Sequence, residues 1–191
     1  MSLFEYISVM VSVVLALGIA QILTGIGAFL SARDRHRAYW LHSVWLTFLA
    51  LLHVYMWWYF WDLRSNPPDT SPAFIFTLLG PALIYLPTYV LLEGRFPSNA
   101  KEHFDRVRRP FFALIIAGTT YQILNQLLNP WVLGYSVPVV FKVGTVLQVG
   151  AATAGFFTSD RRVHGAIALY FLMAMVWALT VRFELDALAP K

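Results

Sequence analysis

Four amides, Gln122, Asn125, Gln126 and Asn129, recur at the i, i+3, i+4, i+7 spacing of a single helical face. An amide offers a donor and an acceptor without charge. Such a face could hold a small polar solute by replacing part of its hydration. A packing seam seldom needs four large amides in two turns, so a cavity or pore lining is the better explanation of this stripe. Two further glutamines sit among small residues. Gln21 shares a stripe with Gly18, Gly25 and Ala28, and Gln148 lies between Gly144 and Gly155 beside Ala151 and Ala152. Small residues let helices approach closely, and an amide there explains itself most simply as an interhelical bond of about 0.6–2 kcal/mol.

The elements that carry these amides follow from composition. Of 191 residues, 59% are hydrophobic and 13% charged, against nearly half apolar and a quarter charged in soluble domains. Apolar runs between charge clusters give six spans, approximately 6–31, 38–62, 72–92, 110–129, 137–159 and 163–183. Six spans of roughly 20 residues use about 120 positions and leave only loops and tails. The fold expected is an all-α, six-span transmembrane bundle forming a single domain over 1–191. Residues 1–30 lack the positive n-region of a signal peptide and carry Glu5, so they read as the first span. Pro72, Pro110 and Pro138 fall near span starts, where the missing N–H costs nothing. Pro81 and Pro87 lie inside span three and should kink it.

Charge then orients the bundle. Arg33, Arg35, Arg37, Arg95, Lys101, Arg106, Arg108, Arg109, Arg161 and Arg162 fall on one side, against Arg64, Arg182 and Lys191 on the other. By the positive-inside rule both termini lie outside. Segments 29–35 and 156–161 share an aromatic-Ser-Asp-Arg character, consistent with a parallel internal repeat or with the ordinary chemistry of tight turns.

Depth counted from the inner arginines places the amides. Gln21 is 12 residues from Arg33, Gln122 is 13 from Arg109 and Gln148 is 13 from Arg161. At 1.5 Å per residue all three lie roughly 18–20 Å from the inner charges, near mid-bilayer. His53 and Asn125, each 16 residues out, share an outer level. His53 is a candidate ligand or proton shuttle, though a buried histidine is more often bonded to a neighbour. The aromatic run 53–61 reads as an interfacial belt, with a cation-binding cage as the sharper alternative. Lys142 and Arg182 lie near the outer edge, where they snorkel or favour anions at an outer mouth.

Much chemistry is excluded. No cysteine is present, so disulfides, thiolate catalysis and Cys-ligated metals are out. No carboxylate reaches the midplane, which argues against a proton relay there. The zincin, nucleophile-elbow and phosphate-loop motifs are absent. No catalytic residue, metal, cofactor or nucleic-acid partner is expected.

Phe4-Glu5-Tyr6 ahead of a Gly- and Gln-containing first helix, with His53, Trp57 and Trp58 downstream, resembles a family of small bacterial inner-membrane proteins of about six helices. The resemblance implies a bacterial cytoplasmic-membrane setting and supplies no activity. The expectation is a channel or facilitator for a small solute or ion, lined by Gln21, Gln122, Asn125, Gln126, Asn129, Gln148 and His53. The alternative is a non-conducting sensor or scaffold acting through the basic loop 93–109, with Arg106, Arg108 and Arg109 contacting a partner or anionic lipid. The small-residue faces of spans one and five invite internal packing or a homo-oligomer.

Overall fold

A computed structural model describes residues 3–31, 39–64, 67–68, 70–93, 99–132 and 138–188, with side chains described for these except at 31, 62, 129–132 and 182–188. The described residues form six α-helices and no strand: α1 Leu3–Ser31, α2 Trp40–Trp61, α3 Ser71–Leu92, α4 Ala100–Val132, α5 Val139–Phe157 and α6 Arg161–Leu188. A single 3₁₀ turn, Asp62–Arg64, follows α2. All six helices are long and apolar enough to cross a membrane.

α2 touches α1, α3, α4 and α6, while α1, α3, α4, α5 and α6 follow one another around it. The ends of α3 and α5 meet the starts of α2, α4 and α6 at one pole of the bundle. That pole also carries Lys101, Arg106, Arg108, Arg109, Arg161 and Arg162; it is called here the basic end.

Local chemistry sets the helix boundaries. Thr70 caps α3, its hydroxyl accepting from the Ala73 N–H at 3.4 Å, and Pro72 occupies the first turn. The helix runs unbroken through Pro81 and Pro87 and stops at Glu93, a left-handed residue (φ 48°) whose N–H reaches Tyr89 O at 2.7 Å. α4 starts ten residues before the expected boundary. Asn99 and Glu102 form a reciprocal cap: the Glu102 N–H donates to Asn99 Oδ1 at 3.3 Å, and Asn99 Nδ2 donates to Glu102 Oε2 at 3.2 Å. Ala100, His103, Phe104 and Phe111 then bury one face while Lys101, Glu102, Asp105 and Arg106 stay exposed. Pro110 therefore lies within α4 and not at its start.

Three of the small residues act inside the fold. A Cβ on Gly18 would strike the His53 ring, one on Gly155 would enter the Phe112 ring, and one on Gly25 would press on Leu92 at 3.0 Å. The faces of α1 and α5 that carry them are thus packing seams, at least at these positions.

The basic half is a dense aromatic core. Trp45, fully buried, has Phe111, Phe171, Phe112 and Phe48 around it at ring separations of 5.0–5.7 Å, mostly edge to face. Such pairs add about 0.5–1.5 kcal/mol each beyond burial.

Candidate functional site

Above that core, toward the opposite end, lies a cavity of about 320 Å³ between α2, α3, α4, α5 and α6. This is at the lower end of the range for small-molecule pockets. Phe48, Ile115 and Phe171, members of the aromatic-rich core, form its floor. Its lining extends to Pro138, the N-cap residue of α5, and Val181 on α6. Ten residue steps on each helix, from Pro138 to Gln148 and from Phe171 to Val181, give a depth of about 15 Å.

The α4 wall is polar because three amides of the stripe border it, Gln122 exposed, Asn125 half-buried and Gln126 buried. Gln122, Asn125 and Gln126 all line the cavity, joined by Gln148 from α5. Their roles divide. Asn125 Nδ2 donates to the Tyr59 hydroxyl at 2.8 Å. Gln126 Nε2 donates to Thr145 Oγ1 at 2.9 Å, and Thr145 passes its own proton to Phe141 O at 2.9 Å. That chain fixes the amide: with the threonine proton committed, Oγ1 can only accept, so nitrogen must face it. Gln122 and Gln148 make no hydrogen bond to any described residue, and both border the cavity. The Gln126–Thr145 bond sets the antiparallel register of α4 and α5 and brings Gln148 to within about one turn of Gln122.

Gln21 and His53 lie elsewhere. Gly18 abuts His53, which puts Gln21 opposite the Leu49–Ala50 turn of α2, whereas Met56 and Tyr121 meet at Gly80. Gln21 is therefore about two turns, roughly 10 Å, closer to the basic end than Gln122. The common level of three glutamines holds for α4 and α5 and fails for α1, because counting from arginines assumes that every helix meets them at one height. Gln21 is half-buried, and its amide nitrogen is buried without a partner among the described residues. His53 likewise sits below Asn125, level with Gly118–Thr119, and faces α1. Its Nδ1–H donates to Leu49 O at 2.7 Å, leaving Nε2 as an unpartnered acceptor against Gly18.

Lys142 is half-buried on α5 and does not line the cavity, and the side chains of Asn129 and Arg182 lie outside the described residues. Of the aromatic run, Trp57, Trp58 and Trp61 are exposed, while Tyr55, Met56 and Tyr59 line the cavity. Sequence reasoning missed these tyrosines and Thr145. The signals were present: Tyr55 and Tyr59 are four apart, and Thr145 is three from Gln148.

The basic end uses its polar groups differently. His42 Nε2 and His103 Nε2 both donate to Leu91 O at 3.0 Å, and His103 also reaches Val90 O at 3.2 Å. These are among the last carbonyls of α3, which have no donor within the helix. His103 Nδ1 lies 3.4 Å from Glu93 Oε2, an ion pair when the ring is protonated. Arg108 and His164 Nε2 both donate to Thr158 O, the C-cap carbonyl of α5. Arg108, half-buried, thereby helps cap α5. Arg106 is exposed and pairs with Glu102 at 4.0 Å, and Arg109 is exposed. Among the described residues no cluster of three or more His, Asp or Glu could hold a metal ion.

No family model, curated protein or solved structure matches this chain.

Proposed function

We propose that the chain is an integral membrane protein that binds a small uncharged solute in the amide-lined cavity and serves as a facilitator for it. The observation that carries this reading is the pair of unspent amides. Gln122 and Gln148 border the cavity at nearly one level without a hydrogen-bond partner among the described residues. Polar groups in an apolar setting are costly unless satisfied, and a solute that bonds both amides satisfies them. Among the described residues no charged side chain lines the cavity, which favours neutral solutes over ions.

The positive-inside rule supports an orientation with the basic end in the cytoplasm, the cavity mouth outside and both termini outside. The resemblance of the first half of the chain supports the bacterial cytoplasmic membrane. Passage then requires the floor of Phe48, Ile115 and Phe171 to part, so the aromatic core acts as the gate. Self-association belongs to the same proposal. Gly27 on α1 and Gly150 on α5 have no neighbouring atom within 4 Å of an added Cβ, which leaves room for a second copy.

The test is permeability of proteoliposomes to glycerol and urea. The wild type and a Phe48→Ala/Phe171→Ala variant should carry at least one of them, the variant faster, and Gln122→Leu/Gln148→Leu should remove the conductance. Permeability equal to protein-free vesicles in both the wild type and the opened variant would end the facilitator reading.

A further inference from the structure

We infer that the cavity's occupant is an uncharged amphiphile, with a hydroxyl-bearing head on the α4 amides and an apolar body along α6. This rests on the solute-binding reading above and names the chemical class that fits it.

The two long walls differ in kind. α4 presents polar Thr119, Gln122, Asn125 and Gln126, whereas the described lining of α6 is apolar throughout, from Phe171 through Met175 and Trp177 to Val181. A wholly polar solute would leave the α6 wall and the floor facing water or polar atoms. A wholly apolar one would leave Gln122 and Gln148 unsatisfied. A molecule with both faces removes both costs. The depth of about 15 Å suits an extended single chain or a small ring system with a tail.

The arrangement of protons selects the head group. One N–H each of Asn125 and Gln126 is spent on Tyr59 and Thr145, and the hydroxyl protons of Thr119, Tyr121 and Thr145 go to Ile115, Phe76 and Phe141 respectively. The carbonyl oxygens of Asn125 and Gln126 receive no donor from the described residues. Leu83 O adds a backbone acceptor: its helical donor would be the N–H of residue 87, which is proline. Leu83 borders the cavity, and its oxygen faces Gly118 of α4, 3.8 Å from where a Cβ there would stand. Gln122 and Gln148 keep two N–H bonds each, and Asn125 and Gln126 one each. The oxygens of these four amides and of Leu83 offer two lone pairs apiece, so open acceptor sites still outnumber open donors. A hydroxyl head supplies the donors that are wanted. A carboxylate brings only acceptors, plus a charge with no cation among the described lining residues, and a quaternary ammonium brings no N–H at all.

The experiment uses purified protein in nanodiscs and three ω-bromo probes of one chain length: an alcohol, a carboxylate and a trimethylammonium. Bromine quenches tryptophan at contact, and Trp177 lines the cavity. The alcohol should quench saturably and bind about tenfold more tightly than either charged probe. That saturable component should vanish in Trp177→Phe. Gln122→Leu/Gln148→Leu should erase the preference, and Gln148→Leu alone should weaken it if the double variant does not fold. Equal affinity for the three heads, a preference for a charged one, or saturable quenching that survives Trp177→Phe would overturn the amphiphile. If no probe binds yet glycerol or urea permeability depends on the glutamines, the amphiphile falls and the facilitator stands. If both readouts are empty, both fall.

Discussion

At the basic end, histidine and arginine side chains reach across the bundle to close the last carbonyls of α3 and α5. About four turns away, two glutamines line an open cavity with no partner among the described residues. Both sets of groups are polar and both sit in an apolar bundle. In the first, a carbonyl left bare by helix geometry is met by a donor from another helix, twice over at Leu91 and again at Thr158. In the second, the neighbours Asn125 and Gln126 are tied down while Gln122 and Gln148 are held in reserve. The difference separates groups that fix the fold from groups that remain available to something else. The cavity ends on Phe48, Ile115 and Phe171, which belong to the core of the basic half.

Stability measurements on single variants can break that division. Trp45→Ala empties the centre of the aromatic core and should cost about 3–5 kcal/mol in unfolding from detergent. A smaller loss would mean that the floor is loosely packed. Arg108→Ala leaves Arg108's share of the Thr158 carbonyl cap unmade and should cost about 1–3 kcal/mol by the same assay. Lipid or partner binding altered without that loss would return Arg108 to a contact role. Gln126→Leu should cost about 0.6–2 kcal/mol through the Thr145 bond. Gln122→Leu and Gln148→Leu should each change stability by no more than about 0.5 kcal/mol. A large loss at either glutamine would place it with the structural groups.

The spans and the α4 stripe were legible because period and length are written in the apolar pattern. α3, α5 and the first helix end within a few residues of expectation. The start of α4 was hidden by charge: Lys101 to Arg109 read as a loop, although Asn99–Glu102 and the buried Ala100, His103, Phe104 series carry a cap and a helical face. The site was half legible. Gln122 and Gln148 share a wall, but depth alone says nothing of azimuth, so Gln21 and His53 were assigned to a cavity they do not border. The reach of Arg108 to Thr158 was not legible, because it depends on how α4 and α5 cross and no local spacing encodes that.

Because the chain contains no cysteine, single substitutions give a clean readout of the central claim, that Gln122 and Gln148 border a space open away from the basic end while Gln21 does not. The measurement is labelling of Gln122→Cys, Gln148→Cys and Gln21→Cys in intact cells by a membrane-impermeant maleimide. Labelling at 122 and 148, blocked by prior addition of the bromo-alcohol, with none at 21, is the predicted result. Labelling at 21, or protection of both 122 and 148 in the absence of any ligand, would contradict it.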